Sequence, residues 1–225
     1  MTRATANTPL TIDIVSDVVC PWCYIGKRKL EAALALPEAA DLPPVVIRWH
    51  PFQLNPDLPA GGMPRQQYLE DKFGGPERAK TIYDRVRAAG SAVGLTLNID
   101  GIAHQANTLA AHALIAFAQQ GDKDGSDMKE RLLKAYFVEN RNIGDTEVLA
   151  AIAAEAGLDA DAARAFITSA DERAAVAESD AQARQLGVTG VPFFIFNRQL
   201  AVSGAQDPAT LLDAMKQAVA GAPAD

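Results

Sequence analysis

Cysteine is almost missing from this chain. There are two in 225 residues, Cys20 and Cys23, so a framework of several disulfides is excluded. A lone Cys-x-x-Cys remains to be explained as redox-active, metal-binding or inert. Histidine is scarce: His50, His104 and His112 are the three available to complete a four-ligand zinc site. Basic excess is missing too. The formal net charge is −7, which leaves neither a nucleic-acid footprint nor a polybasic membrane patch. No apolar run approaches the ~18 residues of a membrane-spanning helix. Residues 1–9 are small and polar, without the apolar stretch of a secretory leader. A cytoplasmic protein is therefore expected, an expectation that a leader upstream of this sequence would change. The helical segments differ in length, which excludes a solenoid of equal repeats.

What is present is a core-forming composition. Apolar residues make up 48% and charged residues 22%, the balance of a folded chain. The length fits one domain, or one domain carrying a large insertion. Thr11 to Asp17 is β-rich, with Ile12 and Ile14 alternating with polar residues. Cys20-Pro21-Trp22-Cys23 follows, then a helical pattern over Tyr24 to Leu36. Pro21 suits a first helical turn, where its missing N–H would have had no partner. Pro43-Pro44 breaks the chain before a second apolar strand, Val45 to Trp49. Strand, helix and strand make a βαβ unit.

From Pro64 to Gly187 the sequence reads as helices. Met128, Leu132, Leu133, Tyr136 and Phe137 form one stripe. Val148, Leu149, Ile152, Ala153 and Ala156 form another, with Asp145 as its cap. After Gly187 come a strand at Phe193 to Phe196, a turn at Asn197-Arg198, and a partner strand at Gln199 to Ser203. A last helix starts at the Asp207-Pro208 cap, with Leu211, Leu212, Met215 and Val219 on its apolar face. The order β-α-β, helical block, β-β-α predicts an α/β domain of residues 10–63 and 188–220, interrupted by an all-helical insertion of residues 64–187.

The strand-to-helix context favours redox chemistry at the cysteines over an inert pair or half a zinc site. Thiolate is the attacking species in disulfide exchange, and a helix N-terminus lowers a thiol pKa. Cys20 stands where the helix begins, with the first-turn N–H groups of Trp22 and Cys23 pointing towards its sulfur. It is the candidate nucleophile. Cys23, one turn inward, is the candidate resolving thiol, and the pair can close into a redox-active disulfide. Without a histidine between them, the pair is expected to be less oxidising than one that has it. Val191-Pro192 precedes a strand. On base rates alone it is an ordinary trans bond, because only about 5–6% of X–Pro bonds are cis.

Together these residues resemble the DsbA family of thioredoxin-fold thiol–disulfide oxidoreductases, and within it the FrnE-like branch. The resemblance rests on Ser16 to Gly26, Trp49 to Pro56, Asn107 to His112, Ala135 to Phe137 with Asn142-Ile143, Leu186 to Phe194, and Ser203 to Gln206, in that order along nearly the whole chain. It implies a thioredoxin fold with a helical insertion, Cys20 as nucleophile, Cys23 as resolver, and a cis Pro192 facing them. Val191 would then offer its backbone to an extended substrate. Glutathione-dependent relatives, the kappa-class glutathione transferases and the 2-hydroxychromene-2-carboxylate isomerases, share the layout but generally carry serine at position 20. In them the region matching Gly204, Ala205 and Gln206 binds the glutamyl end of glutathione, which makes those three residues candidate contacts here.

Other residues carry two readings each. Asp17 is a candidate proton relay to Cys23, although an Asp at this spacing more often caps the helix or is solvated. Trp22 is either an exposed platform for clients or packed on the helical block. His112, in an apolar helical run, reads as a satisfied core or interface histidine. No bound cofactor or metal is expected. Protein disulfides are the first candidate substrates, with glutathione as a candidate co-substrate. A glutathione-dependent isomerase or transferase of small hydrophobic molecules and a non-catalytic peptide holdase are the alternatives. Monomer and homodimer are both open.

Overall fold

The computed structural model describes residues 8–121 and 123–221; the polar residues 1–7 lie outside that range. The first strand, β1 (Leu10–Ser16), is followed by helix α1 (Pro21–Leu34) and strand β2 (Val45–Pro51). Much later come β5 (Phe193–Phe196), β6 (Leu200–Ser203) and helix α9 (Pro208–Ala220). The four strands form one sheet in the order β2-β1-β5-β6. β1 pairs with β2 in parallel, Ile12 opposite Ile47, and with β5 antiparallel, Ile14 opposite Phe194. β5 and β6 form the expected hairpin. Its connection is three residues, Asn197 to Gln199, with both Asn197 and Arg198 at positive φ, a short hairpin loop of the kind that needs left-handed backbone.

Strand β1 is central, and both its faces are covered. Leu10, Ile12 and Ile14 enter the main core, Val15 packs with Phe52, Ala183 and Val188, and even Asp13 is buried. The polar member of the alternation is accommodated by His50, whose Nε2 lies 2.8 Å from Asp13 Oδ1.

Between β2 and β5 the chain is mostly helical: α2 (Arg65–Phe73), α3 (Pro76–Ser91), α4 (Leu109–Ala118), α5 (Ser126–Phe137), α6 (Thr146–Glu155), α7 (Ala160–Thr168) and α8 (Ala170–Gln185). The helical reading misses one feature: β3 (Met63–Pro64) pairs antiparallel with β4 (His104–Gln105). A two-residue ladder is too short to leave an alternating pattern. Asp145 caps α6 as expected, accepting from the N–H groups of Glu147 and Val148. Asp207 stands at the start of α9 but makes no cap bond; its carboxylate pairs instead with Lys29 at 2.7 Å. One continuous hydrophobic cluster runs from β1 through Leu114, Leu132, Tyr136 and Ile152 to Leu211 and Met215. The helical segment and the sheet therefore share their core. No helix among the described residues is long and apolar enough to cross a membrane.

Candidate active site

Cys20 is the N-cap of α1, in extended conformation, and Pro21 occupies the first helical position. The local geometry follows from the residue types. Proline fixes the first turn without wasting a donor, and a cysteine at the cap leaves the remaining first-turn N–H groups facing sulfur rather than a side-chain oxygen. Both thiols are free and buried; Cys20 exposes 4% of its surface and Cys23 1%. Burial is thus deeper for the inner sulfur.

The two thiols are driven apart electrostatically. The Cys23 thiol hydrogen bond to Cys20, with the N–H groups of Cys23 and Trp22, lowers the Cys20 pKa against the opposing effects of burial and Asp17. Burial, and then the neighbouring Cys20, push the Cys23 thiol well above its ordinary value. One sulfur favours thiolate and the other favours thiol. This is the asymmetry of an attacking and a reserve group.

The Val191–Pro192 peptide bond is cis. The Cys20 thiol lies 3.6 Å from the Val191 carbonyl oxygen, so the segment before β5 stands directly over the nucleophile. Gly204 N–H donates to the Pro192 carbonyl at 2.8 Å, which brings the Gly204–Gln206 turn beside the same proline. Lys29 Nζ donates to the Ala205 carbonyl at 3.0 Å, and Gln206 folds back to donate to the Ser203 carbonyl at 2.9 Å. Trp22 is 41% exposed, so its ring is not enclosed by the helices.

Gly26 carries no signal of its own in the sequence. A Cβ there would stand 2.8 Å from Pro192 Cγ. The absence of a side chain at residue 26 is what lets α1 approach the proline.

Asp17 departs from the ordinary behaviour of a carboxylate near a helix start. It neither caps α1 nor meets solvent. Its Oδ2 accepts the Leu54 N–H at 2.8 Å, and its Oδ1 lies 3.2 Å from His112 Nε2. Burial raises its pKa, but the hydrogen bond and charge of His112 and the Leu54 N–H outweigh it and leave the carboxyl below its ordinary value. The histidine of the apolar α4 run is therefore buried and satisfied, and the group that satisfies it is the acid beside the dithiol. His50 is engaged with Asp13, and His104 with the Gly61 carbonyl. Among the described residues no three Cys, His, Asp or Glu side chains gather into a metal-binding group.

The model of the DsbA-like thioredoxin domain matches residues 11–216. This chain belongs to that family. It is 32% identical to a Streptomyces coelicolor protein described as a probable DsbA oxidoreductase, SCO1869. The match covers 95% of this chain and 92% of that one, with a TM-score of 0.83. It is 29% identical to Bacillus subtilis YwbO over 82% of this chain and 85% of that protein. The fold is shared with the cytosolic disulfide reductase DsbM of Pseudomonas aeruginosa, solved with glutathione, at 23% identity, a TM-score of 0.55 and coverage of 93% and 96%. The α/β architecture of this family member is the thioredoxin fold with helices inserted between β2 and β5.

Proposed function

We propose that this DsbA-family chain acts on protein disulfides through Cys20 and Cys23, within the FrnE-like branch and in the cytoplasm. In this reading residues 10–63 and 188–220 are the redox domain, and residues 64–187 are its helical cover. The observation that carries the reading is the placement of a thiol with lowered pKa at a helix cap, 3.6 Å from the Val191 carbonyl. Cys20 thiolate attacks a client disulfide, giving a mixed disulfide and a departing client thiol. Cys23 then displaces the second client sulfur and closes the Cys20–Cys23 disulfide. The extended client lies along Val191-Pro192, with Trp22 offering an apolar surface beside it. Asp17 is the candidate proton relay, because it is a buried acid whose charge is felt at Cys20.

Glutathione as co-substrate is a second reading. It is favoured by the Gly204–Pro192 hydrogen bond, which sets the Gly204–Gln206 turn beside the proline, and by the glutathione in the DsbM structure. Its thiol would meet Cys20 and its glutamyl end the turn. Insulin reduction with dithiothreitol, run beside glutathione conjugation of an electrophile, tests both. Insulin precipitation that depends on Cys20 supports the protein-client reading. Conjugation without insulin reduction would replace it with the small-molecule one.

A further inference from the structure

Lys129 is the one wholly buried lysine among the described residues, and its Nζ makes no hydrogen bond among them. A buried, unpaired ammonium costs several kcal/mol unless a charge compensates it. Its surroundings say which charge. Helix α5 is pinned to α1 at this level: the Tyr24 hydroxyl donates to Glu130 at 2.7 Å, and Lys27 pairs with Glu130 at 2.8 Å. Lys129 lines one cavity with His112, whose Nε2 lies 3.2 Å from Asp17 Oδ1, and the Asp17 carbonyl accepts the Cys20 N–H, so the ammonium belongs to the buried polar cluster beside the dithiol. Its other neighbour is the Trp49 ring, whose centroid lies 5.4 Å away.

We propose that Lys129 is a positioning residue for the resolving step, its buried ammonium compensating the thiolate that forms on Cys23. The inference rests on the disulfide-exchange reading above. In that step the Cys23 sulfur attacks Cys20 Sγ of the mixed disulfide. The Cys20–Cys23 bond forms, the Cys20–client bond breaks, and the electron pair leaves with the client sulfur. That sulfur takes up the proton given up by Cys23 and departs as a thiol. Cys23 is oxidised and the client sulfur reduced, with no outside oxidant.

The charges fit. The Lys129 charge is felt at Cys23, where it opposes the upward push of burial. In return, burial pulls the ammonium down to about 8, while Cys23, Asp17 and Cys20 hold it up and Lys27 opposes them. From the other packed segments, His112 of α4, Arg48 and His50 of β2, Lys123 before α5 and Glu172 of α8 line the same cavity as Lys129, which measures about 320 Å³. Asp17 alone cannot serve this role. It is anionic, and its charge raises the Cys20 pKa.

Ellman's reagent separates the two steps. Attack by Cys20 releases one thionitrobenzoate, and resolution by Cys23 releases the second. In Lys129→Met the second phase should slow at least tenfold relative to the first, with its pH profile displaced to alkaline. Lys129→Arg should recover part of the rate. The disulfide should form about tenfold more readily against glutathione, about 30 mV more reducing. Both phases slowing alike, or neither changing, would overturn the proposal. Absence of the first phase in the unmodified protein would instead overturn the exchange reading itself. If Lys129→Met does not fold, the unmodified protein decides. With ε-¹³C-lysine, Lys129 should titrate higher in the reduced protein than in the disulfide form, and equal values would refute the proposal.

Discussion

Gly26→Ala separates packing from stability at the site. In an open helix the change would stabilise by about 1 kcal/mol, the usual gain of alanine over glycine. Here the new methyl stands 2.8 Å from Pro192 Cγ and 3.4 Å from both Pro192 Cβ and Phe194 Cζ, inside the ~3.5–4.0 Å of an ordinary carbon contact. The proline ring cannot rotate away as a flexible chain would, and its carbonyl is held by Gly204 at 2.8 Å. Overpacking of this kind costs about 1–3 kcal/mol. The net loss is then about 0–2 kcal/mol, or about 0–8 °C in Tm at the ~2–4 °C per kcal/mol usual for a chain of this size. Activity should suffer more. The ring must move by several tenths of an ångström, carrying the Val191 carbonyl from its place 3.6 Å from Cys20. Misplacement near 1 Å costs up to ~100-fold in rate. Insulin reduction should fall at least ~10-fold while the circular-dichroism melt keeps most of its Tm. A variant with full activity and a raised Tm would refute the reasoning, since neither the clash nor the importance of the Pro192 position would survive.

Two further substitutions test other parts of the site. Asp17→Asn removes the anion that faces His112 and should destabilise by about 1–3 kcal/mol at neutral pH, the range for disturbing hydrogen bonds to a buried charged group. Because the folded carboxyl lies below its ordinary value, its contribution is present above that value and is lost as pH falls through the folded one. Urea midpoints of the two proteins should therefore converge below pH ~4, and a gap that widens in acid would contradict this. Trp22→Ala should leave Tm within about 2 °C, since exposed positions contribute little, and should raise the KM for a peptide disulfide. An unchanged KM would remove Trp22 from the client surface.

The βαβ start, the terminal hairpin and the last helix were legible because their signals are local: β-rich runs, a proline at a first turn, an Asn-Arg turn. The asymmetry of Cys20 and Cys23 was legible for the same reason, since it follows from position on one helical turn. The partners of Asp17, already a candidate relay, and the roles of Gly26 and Lys129 were not. Each acquires its character from a partner far along the chain: His112 for Asp17, Pro192 for Gly26, and α1 for Lys129. A buried lysine leaves no trace in a helical stripe that already reads as complete through Met128, Leu132 and Leu133. Asp207-Pro208 does begin the last helix, but the Asp207 carboxylate goes to Lys29, 178 residues away, instead of making a cap bond.

Separate replacement of the two cysteines tests the central claim most directly. Cys23→Ser protein, exposed to a client disulfide and analysed by non-reducing electrophoresis and mass spectrometry, should accumulate Cys20-linked adducts that dithiothreitol releases. Cys20→Ser protein should accumulate almost none, because the remaining thiol is deeper and its pKa is raised. Equal trapping by both would contradict the assignment of attacking and resolving sulfur, and no trapping by either folded variant would contradict disulfide exchange at this site.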